Sequence, residues 1–198
     1  MTPRLLVATT NRGKQREFRR LLGGLAAAVV TPDEIGLEME VEEPYDTYAE
    51  NATTKAVAYC RASGLLTVAD DSGIEVAALG WGPGVRSARW GTADGSQAEQ
   101  VVAAVGENQD RRARMVCALA LAVPYEPDPV VEVFTGVVEG IVASEPRGER
   151  GFGYDPIFLL PSGRTTAELP EADKDRISHR GRAVAAAAPR IAELLGAH

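Results

Sequence analysis

Cysteine is scarce: Cys60 and Cys117 are the only two in 198 residues, and they form no C-x-x-C. This argues against a disulfide framework and a cysteine zinc site, so both read as core thiols of a reducing cytoplasm. Histidine is as rare, and because His198 is terminal, His179 is the one imidazole available for catalysis or recognition. No apolar run reaches membrane-spanning length, and the opening Met1–Ala8 is too short in apolar length for a secretory signal, so the expectation is a cytoplasmic protein with no membrane partner. An excess of cations is missing too. A formal net charge of -7 disfavours duplex binding, which depends on Lys and Arg neutralising phosphates, and no nucleic-acid partner is expected. There is no internal repeat, low-complexity tract or Walker A loop.

What is present is an ordinary globular balance, 45% hydrophobic and 25% charged, over a length suited to one domain spanning residues 1–198. Leu5 to Thr9 reads as a strand, Gly13 to Leu22 as a helix stopped by Gly23-Gly24, and Ala27 to Thr31 as a second strand. Pro32 to Pro44 is acidic and irregular. Tyr45 to Ala62 puts Tyr45, Ala49, Ala52, Ala56, Tyr59 and Cys60 on one helical stripe that closes at Gly64, with Asn51 and Lys55 on a separate face. Leu65 to Ala69 is a strand ending in Asp70-Asp71-Ser72-Gly73, after which Ile74 to Val76 is extended and Gly80 to Gly84 a loop. Gly95 to Val105 reads as a helix, Ala113–Val123 and Val130–Val142 as a long hairpin, and Ile157 to Leu160 as a strand. Ser178 caps a last helix that Pro189 kinks or restarts. Strands alternating with helices, then a hairpin, predict an α/β fold with a mixed sheet.

Five segments carry chemistry. Gly151-Phe152-Gly153-Tyr154-Asp155-Pro156 combines backbone freedom, two aromatic faces for stacking on a base and a carboxylate that accepts from base N–H groups; a glycine-rich turn explains it equally well. Thr9-Thr10-Asn11-Arg12-Gly13-Lys14 sits where a strand meets a helix N-terminus, a place suited to phosphate, although a capped helix start has the same composition. Glu50 to Lys55 offers Asn51 and Lys55 four apart, with Glu42 and Glu43 upstream as metal carboxylates or as solvated charge. Asp70 and Asp71 are adjacent in extended chain, so they face opposite ways and have different jobs; a turn accounts for the composition but not for two like charges ending an apolar strand. Lys174 and Ser178-His179-Arg180 gather a cation, a hydroxyl, an imidazole and a guanidinium that can read a base edge or hold phosphate.

In this order, Thr-x-Asn-x-x-Lys, Glu-Asn-Ala-x-x-Lys-Ala, Ala-Asp-Asp-Ser-Gly, Pro-Gly-Val-x-Ser-Ala-Arg (Pro83 to Arg89), Gly-Phe-Gly-Tyr-Asp-Pro and Ser-His-Arg-Gly resemble the inosine/xanthosine triphosphate pyrophosphatase family, the HAM1-like or RdgB-like enzymes. The resemblance runs from the first strand to the last helix. It implies an elongated mixed sheet with flanking helices, two lobes enclosing a nucleotide cleft, a homodimer, and Mg2+-dependent hydrolysis of dITP, ITP or XTP to monophosphate and pyrophosphate. It further implies that Thr9, Thr10, Asn11, Arg12, Gly13, Lys14 and Lys55 hold the triphosphate. Asp71 activates water and helps to bind Mg2+ with Glu43, or Glu42 in its place. Ser72 lies beside the substrate, Phe152, Gly153, Tyr154 and Asp155 cradle the base, and Lys174, Ser178, His179 and Arg180 complete the contacts. Thr10 stands where many relatives carry glycine, and Pro44 to Tyr48 also departs from the common pattern.

The chemistry agrees with that implication. Phosphoryl transfer needs charge neutralisation and an oriented water more than a covalent nucleophile, which Lys14, Lys55, Lys174, a divalent cation and one carboxylate supply. Discrimination against adenine calls for a donor to the 6-keto oxygen, and Arg180 is the candidate. The rivals are a Maf-like pyrophosphatase, a non-catalytic nucleotide-binding module and, third, a nucleic-acid-binding protein. Glu43, Asp70 and Asp71 argue against the second, and the acidic balance against the third.

Overall fold

The computed structural model describes residues 2–91 and 96–196. The elements are β1 (Arg4–Val7), α1 (Arg12–Leu21), β2 (Ala28–Val30), α2 (Tyr48–Ser63), β3 (Leu66–Val76), β4 (Gly82–Pro83), α3 (Gln97–Val105), β5 (Arg112–Val123), β6 (Val130–Val142), β7 (Phe158–Leu159), α4 (Glu171–Ile177) and α5 (His179–Gly196). Strand order is β2-β1-β3-β5-β6-β7, with β4 paired to β3. β1 is parallel to both β2 and β3, whereas β3 with β4 and β6 with β7 are antiparallel, so the sheet is mixed and the fold α/β, as expected.

The chain divides into two compact units, one of residues 1–71, 117–136 and 180–198, the other of residues 72–116 and 137–179. In the first, strand alternation sorts the core into two layers. Leu5, Val7, Val68, Cys117, Leu119 and Leu121 pack with Phe18 of α1, with Leu22 at its C-terminal cap and with Ala183, Ala187 and Ile191 of α5. Their sequence neighbours Leu6, Ala8, Ala69, Ala118, Ala120 and Ala122 pack with Ala52, Ala56, Tyr59 and Cys60 of α2. Small alanines on this side let the helix approach closely. A sheet covered on both faces explains why Cys117 to Ala122 is apolar without a break. α2 is capped at its start by Thr47, whose side chain accepts from Glu50 N, and ends at Gly64 in the left-handed region, whose N–H reaches Cys60 O at 2.8 Å.

The second unit has one core, in which Ile74 and Val76 of β3, Val101 and Val105 of α3, Ala113 and Met115 of β5, and Val138 and Val142 of β6 meet Tyr154, Ile157 and Phe158. Arg111 ties its strands together, donating from Nε to Val142 O and from Nη2 to Ala143 O, each at 2.8 Å.

Several expectations change. β3 does not end at the aspartates but runs eleven residues through them, because Ile74 and Val76 continue the same inward alternation. Tyr45 and Ala49 are not on the buried stripe; both are exposed, Tyr45 before the helix begins, and Asn51 takes a buried place instead. Gly82–Pro83 is a short strand inside the supposed loop, and residues 155–157 form a 3₁₀ turn that trims the following strand to two residues. Ser178 closes α4, an additional helix, and α5 runs through Pro189 without a restart. The proposed helix start at Gly95 lies outside the described residues, as does His198.

Candidate active site

Alternation along β3 decides what each aspartate meets. Val68 belongs to the α1/α5 layer and Ala69 to the α2 layer, so Asp70 points towards α1 and α5 and Asp71 towards α2. Asp70 is wholly buried, 3.1 Å from Lys14 Nζ, and its Oδ2 accepts from Arg180 Nε and Nη2 at 3.2 and 3.0 Å. Burial opposes its charge, but Lys14, Arg180 and Lys55 outweigh that and hold the carboxyl far below the usual range. The cost of two neighbouring carboxylates is therefore met on the Asp70 side by protein cations. Cys117, 3.9 Å from Asp70 Oδ2, has its thiol pushed up by burial and by that negative charge, so it is an inert core group.

Asp71 is 8% exposed, and burial raises its pKa, against the pull of Asn51 and Lys14 and with the push of Glu43. A carboxylate whose pKa burial shifts upward has the character of a general base. Asn51 donates to its Oδ2 at 3.0 Å.

The loop before α1 is organised by its own side chains. Asn11 caps the helix, its Oδ1 accepting from Lys14 N at 3.1 Å, while its own N–H donates to Thr9 Oγ1 at 3.2 Å. Gln15, also buried, donates to Thr9 O at 2.9 Å. Thr10 and Arg12 are exposed, with Arg12 reaching Asp33, and Gly13 is buried. On α2, Lys55 Nζ pairs with Glu43, a half-buried carboxylate, whereas Glu42 is exposed. That favours Glu43 over Glu42 as the group working with Asp71.

Arg180 lies in the interior. Its side chain is 3% exposed, Nη1 donates to Glu17 Oε2 at 2.5 Å, and Nε and Nη2 donate to Asp70 Oδ2. A guanidinium embedded between two carboxylates is a strut that fixes Asp70, and through it Lys14. Glu17 is a residue of this region that the sequence reading did not single out, and its signal was an acid on the apolar side of α1, in line with Phe18. Asn51, read with Lys55 on a separate helix face, is buried against Asp71.

The second unit holds the aromatic loop. Asp155, 3% exposed, accepts from Phe152 N at 2.8 Å, from Thr166 Oγ1 at 2.8 Å and from Lys174 Nζ at 2.5 Å. With these three donors it folds the loop. Gly151, at φ +79°, leaves the space this carboxylate fills, since a Cβ there would lie 2.0 Å from Asp155 Oδ2. Lys174 Nζ lies 5.4 Å from the centre of the Phe152 ring, a cation beside a half-buried aromatic face, and Gly153 is exposed. Tyr154 is a core residue: its hydroxyl donates to Ser87 O at 2.7 Å and burial pushes its pKa up to about 12. Ser87 in turn accepts from Ile74 N at 2.9 Å, which explains the Ser within the Pro83–Arg89 motif. Ser178 and His179 are buried and Ser72 half-buried.

Residues 5–190 match the model of the Ham1 family. The chain is 47% identical over 183 residues to a dITP/XTP pyrophosphatase of Gloeobacter violaceus, covering 91% of this chain and 90% of that protein. To a dITP/XTP pyrophosphatase of Bacillus subtilis it is 43% identical over 185 residues, covering 90% and 92%. The solved structure of a HAM1 protein from Coxiella burnetii superposes with a TM-score of 0.84 at 38% identity, covering 96% of this chain and 99% of that one.

Proposed function

We propose that this chain, which belongs to the Ham1 family, hydrolyses dITP, ITP and XTP to the monophosphate and pyrophosphate and so removes deaminated purines from the nucleotide pool. The observation that carries the reading is the Asp71 environment: a desolvated carboxylate with raised pKa, oriented by Asn51, coupled to Glu43 and near Lys14 and Lys55. In this reading Asp71 takes a proton from the attacking water. Thr9 to Lys14 and Lys55 meet the triphosphate oxygens, Phe152 stacks on the base, and Ser72, Lys174, Ser178 and His179 complete the contacts around it. Lys55 exchanges its Glu43 partner for phosphate as substrate enters.

Glu43 and Asp71 would hold a Mg2+ ion. The donor set fits, because Mg2+ takes one or two protein carboxylates and completes its shell with phosphate oxygens and water. When bound, the ion supplies neutralisation of the charge that builds on the phosphate oxygens. One two-lobed catalytic domain, a homodimer and a cytoplasmic setting belong to the same proposal. Among the described residues no helix is long and apolar enough to cross a membrane.

The test is a panel of dITP, ITP, XTP, dATP, dGTP and UTP with product identification. Monophosphate plus pyrophosphate from the first three, at specificity constants orders of magnitude above dATP, is the expected result. Release of orthophosphate, or equal use of dATP and dITP, refutes the assignment.

A further inference from the structure

Asn51 is 1% exposed, and its carboxamide is used completely. Oδ1 accepts from Tyr45 N at 3.0 Å, and Nδ2 donates to Tyr45 O and to Asp71 Oδ2, each at 3.0 Å. An amide offers two N–H donors and one oxygen, and each has a partner here. Two of the bonds grip the main chain of a single residue as a neighbouring strand would, and the third holds the carboxylate on β3.

The grip has a register. Tyr45 lies opposite Asn51, and Glu43, two residues upstream, pairs with Lys55, four residues onward in α2. Four helical residues rise about 6 Å, and two extended residues span about 6.6 to 7.2 Å. The Glu43–Tyr45 segment is therefore held to α2 at both ends. The helix start does not need Asn51 for capping, because Thr47 supplies that group.

We infer that Asn51 is a positioning residue: it fixes the segment carrying Glu43 and the carboxylate of Asp71 to one rigid amide, setting the spacing at which the pair can share a divalent cation. The inference rests on the pyrophosphatase reading of Asp71 and Glu43. No other residue type does this at that position. Asp would lose both donors and place charge against Asp71, and Gln would carry the amide past Tyr45 by one methylene.

The experiment uses the full chain as wild type, Asn51→Ala and Asn51→Leu, the last being close to the amide in volume. Mn2+ binding without nucleotide is followed by electron paramagnetic resonance and calorimetry, and dITP turnover is measured across a Mg2+ series. Both variants should bind Mn2+ about tenfold or more weakly, in the range of lost outer-shell partners. Their kcat at low Mg2+ should fall and recover in part at high Mg2+, with the KM for dITP at saturating metal nearly unchanged. A folded variant with wild-type Mn2+ affinity overturns the inference. So does collapse of both variants, which would make Asn51 a stability residue. A wild type that binds Mn2+ but cleaves no nucleotide refutes the pyrophosphatase reading instead, and is told apart by needing no variant.

Discussion

Asp70 and Asp71 are adjacent in β3, yet one carboxylate lies between Lys14 and Arg180 and the other against Asn51 of α2. Alternation along the strand separates them, and the consequence is chemical: the first is locked in its charged form, the second is desolvated and raised. Neighbours in sequence thus become a structural and a catalytic group.

Asp71→Asn should fold like the wild type and lose turnover by roughly 10²- to 10⁴-fold, the span of a lost general base. The amide keeps the size but neither takes a proton nor carries charge. Near-normal kcat in a variant with native circular dichroism and melting temperature would exclude the role.

Asp70→Asn should act on stability. Removing one partner leaves Arg180 short of a counter-charge in the interior, a change of the kind that costs about 3–5 kcal/mol. Arg180→Ala should do the same by stranding Asp70 and Glu17, with lower melting temperature as the readout. If Arg180→Ala kept its stability and changed only base preference, the strut assignment would be wrong.

The same group predicts a pH dependence. The folded pKa of Asp70 is depressed, so its contribution is complete above the unfolded carboxylate value of about 3.9 and is lost progressively as pH falls below it. Urea denaturation of wild type and Asp70→Asn should therefore give a stability gap that is constant from neutral pH to about pH 5 and narrows below about pH 4. A gap independent of pH down to about 2 would show that the charge of Asp70 is not what matters.

Lys55→Ala should raise the KM for dITP about tenfold or more, since a donor to charged oxygens is lost. Its effect on kcat should be smaller, because Asp71 keeps its Asn51 bond. Unchanged KM would move the phosphate site elsewhere.

Phe152→Ala and Gly151→Ala separate stacking from loop shape. The first should weaken dITP, XTP and dATP to a similar degree, as stacking is nearly indifferent to base identity. The second forces a Cβ into Asp155 Oδ2 and should loosen Phe152 and Lys174 together, raising KM without a change in metal dependence. A Phe152→Ala enzyme that loses only one base would contradict the stacking role.

The sequence carried much of this. Ordered motifs pointed to the family, and Ala113–Val123 to a long strand. The three lysines of the chain, among 21 Lys and Arg, are Lys14, Lys55 and Lys174, all in the motifs and each paired with a carboxylate in the fold. A compact, strongly hydrated cation that recurs only at such places is a signal in itself. Two different jobs for adjacent aspartates also follow from a period of two, whatever the fold. What period and composition leave open is which helix lies on which side of the strand. Only the packing of α1 and α5 on one face and α2 on the other decides that Asp70 meets cations and Asp71 an amide. Arg180, 110 residues from Asp70, meets that carboxylate only once α5 has packed, and Asp155 meets Lys174 and Thr166 only once its loop has folded. Local sequence sets which groups are available, but partners distant along the chain set their charge, burial and therefore their chemistry.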